Sequence, residues 1–169
     1  MRYVHHSLAP LAIFTLLSCS PTVDTSTSLQ NDLAMFVDAG AIKSEEMRRF
    51  FTDEAVDAGV LKIRAMRNHE KPTEKKRRAQ TGCGRAIQKT KEILIDVERK
   101  NCINLANLAH EIAHFPAKEQ GCRGHGDLFY EINEGIAQRF VAKFPGESWG
   151  GSSPIGKVRS RALDYRSPC

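Results

Sequence analysis

Apolar positions recur at helical spacing along much of the chain. Leu33, Phe36 and Val37, then Met47, Phe50 and Phe51, mark a helical region over residues 31–51. A break is expected near Gly40. A second helix start is expected at Ser44, where Glu45 and Glu46 fill the first turn. Val56 to Ile63 is ambiguous, because Gly59 weakens a helix and Val60, Leu61 and Ile63 suit a strand. The strongest strand signal is Lys91-Glu92-Ile93-Leu94-Ile95-Asp96-Val97, which is short, β-branched and preceded by the turn-rich Thr81-Gly82-Cys83-Gly84. Leu105, Leu108, Ile112 and Phe115 then form one apolar stripe, with Asn101 or Asn104 available as cap. Pro116 is expected to end that helix, since the residue before a proline resists the helical region. A polar, glycine-rich loop follows, from Ala117 to Gly126. Phe129, Ile132, Ile136 and Phe140 make the stripe of a last helix from Asp127 to Phe144, stopped by Pro145-Gly146. From Glu147 to Cys169 the pattern predicts loops with one short helix. These elements together predict an α+β domain with a short sheet.

The first thirty residues follow no such pattern. Residues 1–18 read as a signal peptide, with Arg2 in a short n-region and an apolar core from Leu8 to Leu17. Leu16-Leu17-Ser18-Cys19 resembles the bacterial lipobox, which implies cleavage before Cys19 and lipidation of its thiol. Ser20, where Asp would signal retention, implies an outer-membrane address. The expected location is therefore the bacterial cell envelope, lipid-anchored and facing the periplasm. Residues 20–30 are polar and low in complexity, and predict a flexible linker reaching roughly 20 Å. The expected organisation is a signal peptide over 1–18, lipidated Cys19 and linker over 19–30, and a single domain over 31–169.

Charge and cysteine count refine this picture. A net charge of +5 over 169 residues is mild and calls for no nucleic-acid partner. No apolar run is long enough to span a bilayer. The basic run Arg67, Lys71, Lys75, Lys76, Arg77 and Arg78 suits a solvated loop, or attraction to acidic head groups or peptides. With Cys19 lipidated, Cys83, Cys102, Cys122 and Cys169 remain. An even count in an exported chain predicts two disulfides, with three possible pairings. No C-x-x-C pair suggests a thiolate metal site.

The chemistry concentrates in His110-Glu111-Ile112-Ala113-His114. Two imidazoles four residues apart share one helix face and can bind one tetrahedral zinc ion. The glutamate between them is placed to act as general base on metal-bound water. A catalytic zinc takes a third protein ligand and leaves one position for water.

H-E-x-x-H after a strand resembles the zincin metallopeptidases. The likeness covers about residues 81–144 and implies a small zincin-like domain that hydrolyses peptide or protein substrates. Asn133-Glu134-Gly135-Ile136-Ala137, twenty residues beyond His114, resembles the gluzincin, thermolysin-like branch and makes Glu134 the first candidate ligand. Gly135, costing about 1 kcal/mol against alanine in mid-helix, would be explained by close approach of two helices. Gln138 departs from that branch, which carries Asp there to hold a ligating histidine. Gly124-His125-Gly126-Asp127-Leu128-Phe129 resembles the SprT-like branch and makes His125 the alternative. With Glu134 as ligand, His125 would instead donate to a developing oxyanion. A different class also remains: a non-catalytic envelope adaptor or binding module, its structural zinc closed, after rearrangement, by His110, His114, His125 and Glu134.

Overall fold

The computed structural model describes residues 24–75, 82–122 and 124–150. The expected signal peptide over 1–18, Cys19 and Cys169 lie outside them.

Three helices lead the chain: α1 Thr25–Asp32, α2 Ala34–Asp38 and α3 Glu45–Asp57. The first corrects the expected linker over 20–30, which is helical from Thr25. Its polar composition hid two local devices. Asp24 caps the helix by accepting from the Ser26 backbone N–H at 3.1 Å, and Leu29 is fully buried beside Leu33 and Phe36. Single apolar anchors of this kind escape a search for periodic stripes. Gly40 turns the chain at φ 70°. Ser44 caps α3 through the Met47 N–H, as its position suggested. α3 ends at Asp57, and Gly59, at φ 72°, resolves the ambiguous stretch into a turn before a strand.

The sheet has three strands: β1 Lys62–Ala65, β2 Gly84–Ile87 and β3 Glu92–Ile95. Their order is β1-β3-β2, with β1 parallel and β2 antiparallel to β3. Central β3 buries Ile93, Leu94 and Ile95, which accounts for its unbroken apolar run. The expected strand over 91–97 is thus present but shorter. Asp32 Oδ2 accepts from the Ile63 N–H at 2.9 Å and ties the end of α1 to β1.

Arg67 and Lys71 of the basic run join ordered contacts, whereas Lys76, Arg77 and Arg78 lie outside the described residues. Arg64 forks onto Glu70 at 2.7 and 2.8 Å. That guanidinium, with the Arg67 N–H, holds the Glu70 carboxyl down at about 2. Lys71 reaches Glu98 at 2.6 Å. Residues 76–81 are not described.

Two long helices complete the domain: α4 Leu105–Glu119 and α5 Asp127–Lys143. α4 does not stop at Pro116, as expected, but continues through it. The proline removes one donor from the helix ladder. Burial of Phe115 and Ala117 on either side of the proline offsets that loss, and Gln88 Nε2 donates to the His114 carbonyl at 3.0 Å. Beyond α5, Trp149 is buried against Phe51 and Phe140. None of the described helices is long and apolar enough to cross a membrane.

Candidate metal centre

α4 supplies two of the site's imidazoles and its carboxyl group. Asn104 caps the helix, its side chain accepting from the Asn107 N–H at 2.9 Å. Leu105, Leu108, Ile112 and Phe115 are all buried, so the stripe read from the sequence fixes how the helix sits. This leaves His110 and His114 one turn apart beside the cleft, with rings 5.0 Å between centroids. The loop beyond α4 then doubles back. Gly121 and Gly124 take φ of 88° and 92°, which disfavour any side chain, and they deliver His125 to the pair.

The three rings converge on one another through their outer nitrogens. His125 Nε2 lies 3.0 Å from His110 Nε2 and 3.2 Å from His114 Nε2. Such an arrangement places lone pairs face to face, which is unfavourable unless protons or a cation lie between them. A tetrahedral zinc ion holds its nitrogen ligands about 3.3 Å apart; both distances to His125 are close to that, and all three donors lie within 4.8 Å of one another. Phe129 is buried beneath all three rings, at centroid distances of 4.8, 4.5 and 4.6 Å from His110, His114 and His125. Its position in G-H-G-x-x-F acquires a physical meaning as the floor of the site.

His110, His114 and His125 are the group able to hold a metal ion among the described residues. The expected order of third ligands is therefore reversed. Glu134 does not join the group; its Oε1 accepts from Gln138 Nε2 at 3.1 Å along its own helix. Glu134 stands outside this group, so a four-ligand closure would require the rearrangement that reading includes. Gly135 does not mark close approach of two helices. A Cβ there would meet only the Arg139 guanidinium, at 3.4 Å, and that guanidinium forks onto Glu54 at 2.7 and 2.8 Å.

Glu111 faces away from solvent, with only 6 % of its surface exposed. Its neighbours come from β2, a strand not expected from the sequence, whose first residue, Gly84, belongs to the stretch read as turn-rich. The Ala86 backbone N–H bonds the carboxyl group, and Arg85 acts on it electrostatically. Gly84 lies directly against the side chain. The residues around this centre line a cleft of about 730 Å³, bounded by β2 on one side and α4 on the other, with Gln88 and Lys118 at its rim.

Cys83, the residue before Gly84, is joined to Cys102, just before α4. This pairing was one of those left open. Cys122, after α4, is disulfide-bonded as well.

Burial governs the protonation of the whole cluster. It pushes His110 down to about 3, helped by the neighbouring His114 and His125, and His114 down to about 4, helped by His125. His125 is lowered for the same reason. All three rings are thus neutral near pH 7, the form in which imidazole binds metal. Burial pushes the Glu111 carboxyl up to about 8, against the pull of the Ala86 N–H and Arg85.

These shifts predict an unusual stability profile for the metal-free protein. The unfolded chain binds more protons at the three histidines below about pH 6.5, so stability falls on acidification from there toward pH 4. The folded state binds more at Glu111 between pH 4.5 and 8, so that group lowers stability as pH rises through this window. Three histidines outweigh one carboxyl on the acid side. The expected optimum lies near pH 6.5, with decline in both directions up to about pH 8. Denaturant unfolding of chelated protein across pH checks it, and a flat profile from pH 5 to 8 would contradict it.

No protein-family model matches the chain, and no curated protein or solved structure matches it at a significant level.

Proposed function

We propose that this chain is a zinc-dependent metallopeptidase of the zincin type, held in the bacterial envelope by a lipid on Cys19. The observation that supports it most is the meeting of three imidazole nitrogens beside a buried carboxyl group, at the edge of a cleft bounded by a strand. His110, His114 and His125 are the residues that would hold the metal. Bound there, zinc supplies a Lewis acid and lowers the pKa of water toward neutrality.

The chain's own groups would do the remaining work. Ionised beside a bound cation, against the effect of burial, Glu111 would accept the proton of the attacking water and deliver it to the leaving amine. Phe129 keeps the imidazole rings in place and excludes water from beneath them. β2 is an outer strand of the described sheet and lines the cleft with Glu111, where it would lie alongside a bound peptide. Three histidine ligands leave a coordination position open for water, which favours catalysis over a closed structural site.

The test uses the full chain, with its metal content and its hydrolysis of a quenched peptide library measured together. One equivalent of zinc is expected, with activity lost on chelation and regained on adding zinc. His125→Ala should lose both zinc and activity, whereas Glu134→Ala should retain stoichiometric zinc. Stoichiometric zinc with no cleavage of any peptide would instead favour the non-catalytic binding module. Retention of zinc in His125→Ala, with loss in Glu134→Ala, would restore Glu134 as the ligand.

A further inference from the structure

Gly84 opens β2, yet its backbone does not require glycine. Its φ is not among the positive values found at Gly40, Gly59, Gly82, Gly121, Gly124, Gly146 and Gly150. What excludes a side chain is Glu111. A Cβ at residue 84 would lie 2.5 Å from both Cγ and Oε1 of Glu111, and 2.7 Å from Cδ. No real pair of such atoms approaches so closely, so the carboxyl group would have to move.

Two further features hold this strand at that distance. The Ala86 N–H, two residues along β2, bonds the same carboxyl group. The Cys83 carbonyl accepts from the Asp96 N–H at 2.9 Å, while the Cys83–Cys102 bond ties the strand's start to the segment before α4. Gly84 itself pairs with Ile95 on β3. β2 is held through its pairing with buried β3, and the helix is anchored by its apolar face.

We infer that Gly84 is a positioning residue for Glu111: the bare backbone of β2 forms the wall that sets where the carboxyl group points. This rests on the hydrolase reading for its catalytic meaning, but the contact itself does not. Gly84 touches neither substrate nor metal on this view and acts only through Glu111.

The kinetic test is Gly84→Ala in the full-length zinc-loaded protein. A displaced carboxyl group should lower kcat by about 10²-fold, with KM within about twofold and zinc content unchanged. An unchanged kcat would overturn the inference. A second measurement needs no activity. Thermal unfolding of Gly84→Ala, Glu111→Ala and the double variant forms a mutant cycle. The fall in melting temperature caused by Gly84→Ala should vanish in the Glu111→Ala background, where the obstructing atoms are gone. An equal fall in both backgrounds would also overturn the inference. If the parent cleaves no peptide, the hydrolase reading fails while the cycle still decides the contact.

Discussion

On the proposed hydrolase reading, replacing Glu111 by glutamine is expected to lower peptide hydrolysis by about 10³-fold with zinc content unchanged. The substitution preserves shape in a place where shape is constrained. Gly84 on β2 lies directly against the side chain, and the amide oxygen of glutamine can still accept from the Ala86 N–H. What is lost is the ability to take up a proton. Because the side chain is only 6 % exposed, bulk water is poorly placed to substitute as base. The three imidazoles lie on other positions of α4 and on the following loop, so metal content should not change. Glutamine also does not titrate. The decline in stability of the metal-free protein between pH 6.5 and 8 should therefore disappear, while the acid limb set by the histidines remains. Cleavage by the glutamine variant at the parent's rate would remove the proposed base from the mechanism.

The parts of this domain legible in the sequence are those in which one helix does its own signalling. Ser44 and Asn104 announce helix starts through caps that the structure uses, and the stripes of α4 and α5 are the faces that become buried. β3 was visible because a central strand needs apolar residues on both sides. β2 was not. Gly84, Arg85 and Ala86 carry no strand preference; they are held extended by pairing with β3 and by the bond from Cys83 to Cys102. Without β2, neither the wall at Gly84 nor the donor at Ala86 could be foreseen. α1 was hidden in the same way, since one buried leucine and one aspartate cap make no pattern.

The place of His125 shows where spacing ceases to inform. Glu134 lies on a helix, at a distance from His114 that matches a familiar arrangement, whereas His125 lies in a loop whose path no periodicity describes. That path depends on Gly121 and Gly124 adopting backbone angles closed to other residues. The glycines were plain in the sequence as loop formers. Their effect, turning the chain back over α4, depends on where α5 packs, and Phe129 beneath the rings records that packing.

Removing the Cys83–Cys102 bond, as the Cys83→Ala/Cys102→Ala variant, is expected to cost about 3 kcal/mol of stability. The two residues are 19 positions apart and enclose β2 and β3, so the unfolded chain gains the freedom of a loop of that size. Alanine is preferred to serine because Cys102 is fully buried and a hydroxyl there would need a partner. A reductant is the poorer experiment, since Cys122 is disulfide-bonded too. The functional consequence should be uneven. His110, His114 and His125 belong to α4 and the loop before α5, outside the enclosed segment, so zinc should remain bound. Glu111 leans on Gly84, the residue beside Cys83, and loosening β2 gives its carboxyl group room to move. The expected result is a lower midpoint in denaturant, full zinc occupancy and reduced kcat. An unaltered midpoint would mean that β2 is held by its pairing with β3 alone. Loss of zinc with the bond would mean that the strand supports the imidazoles as well as the base.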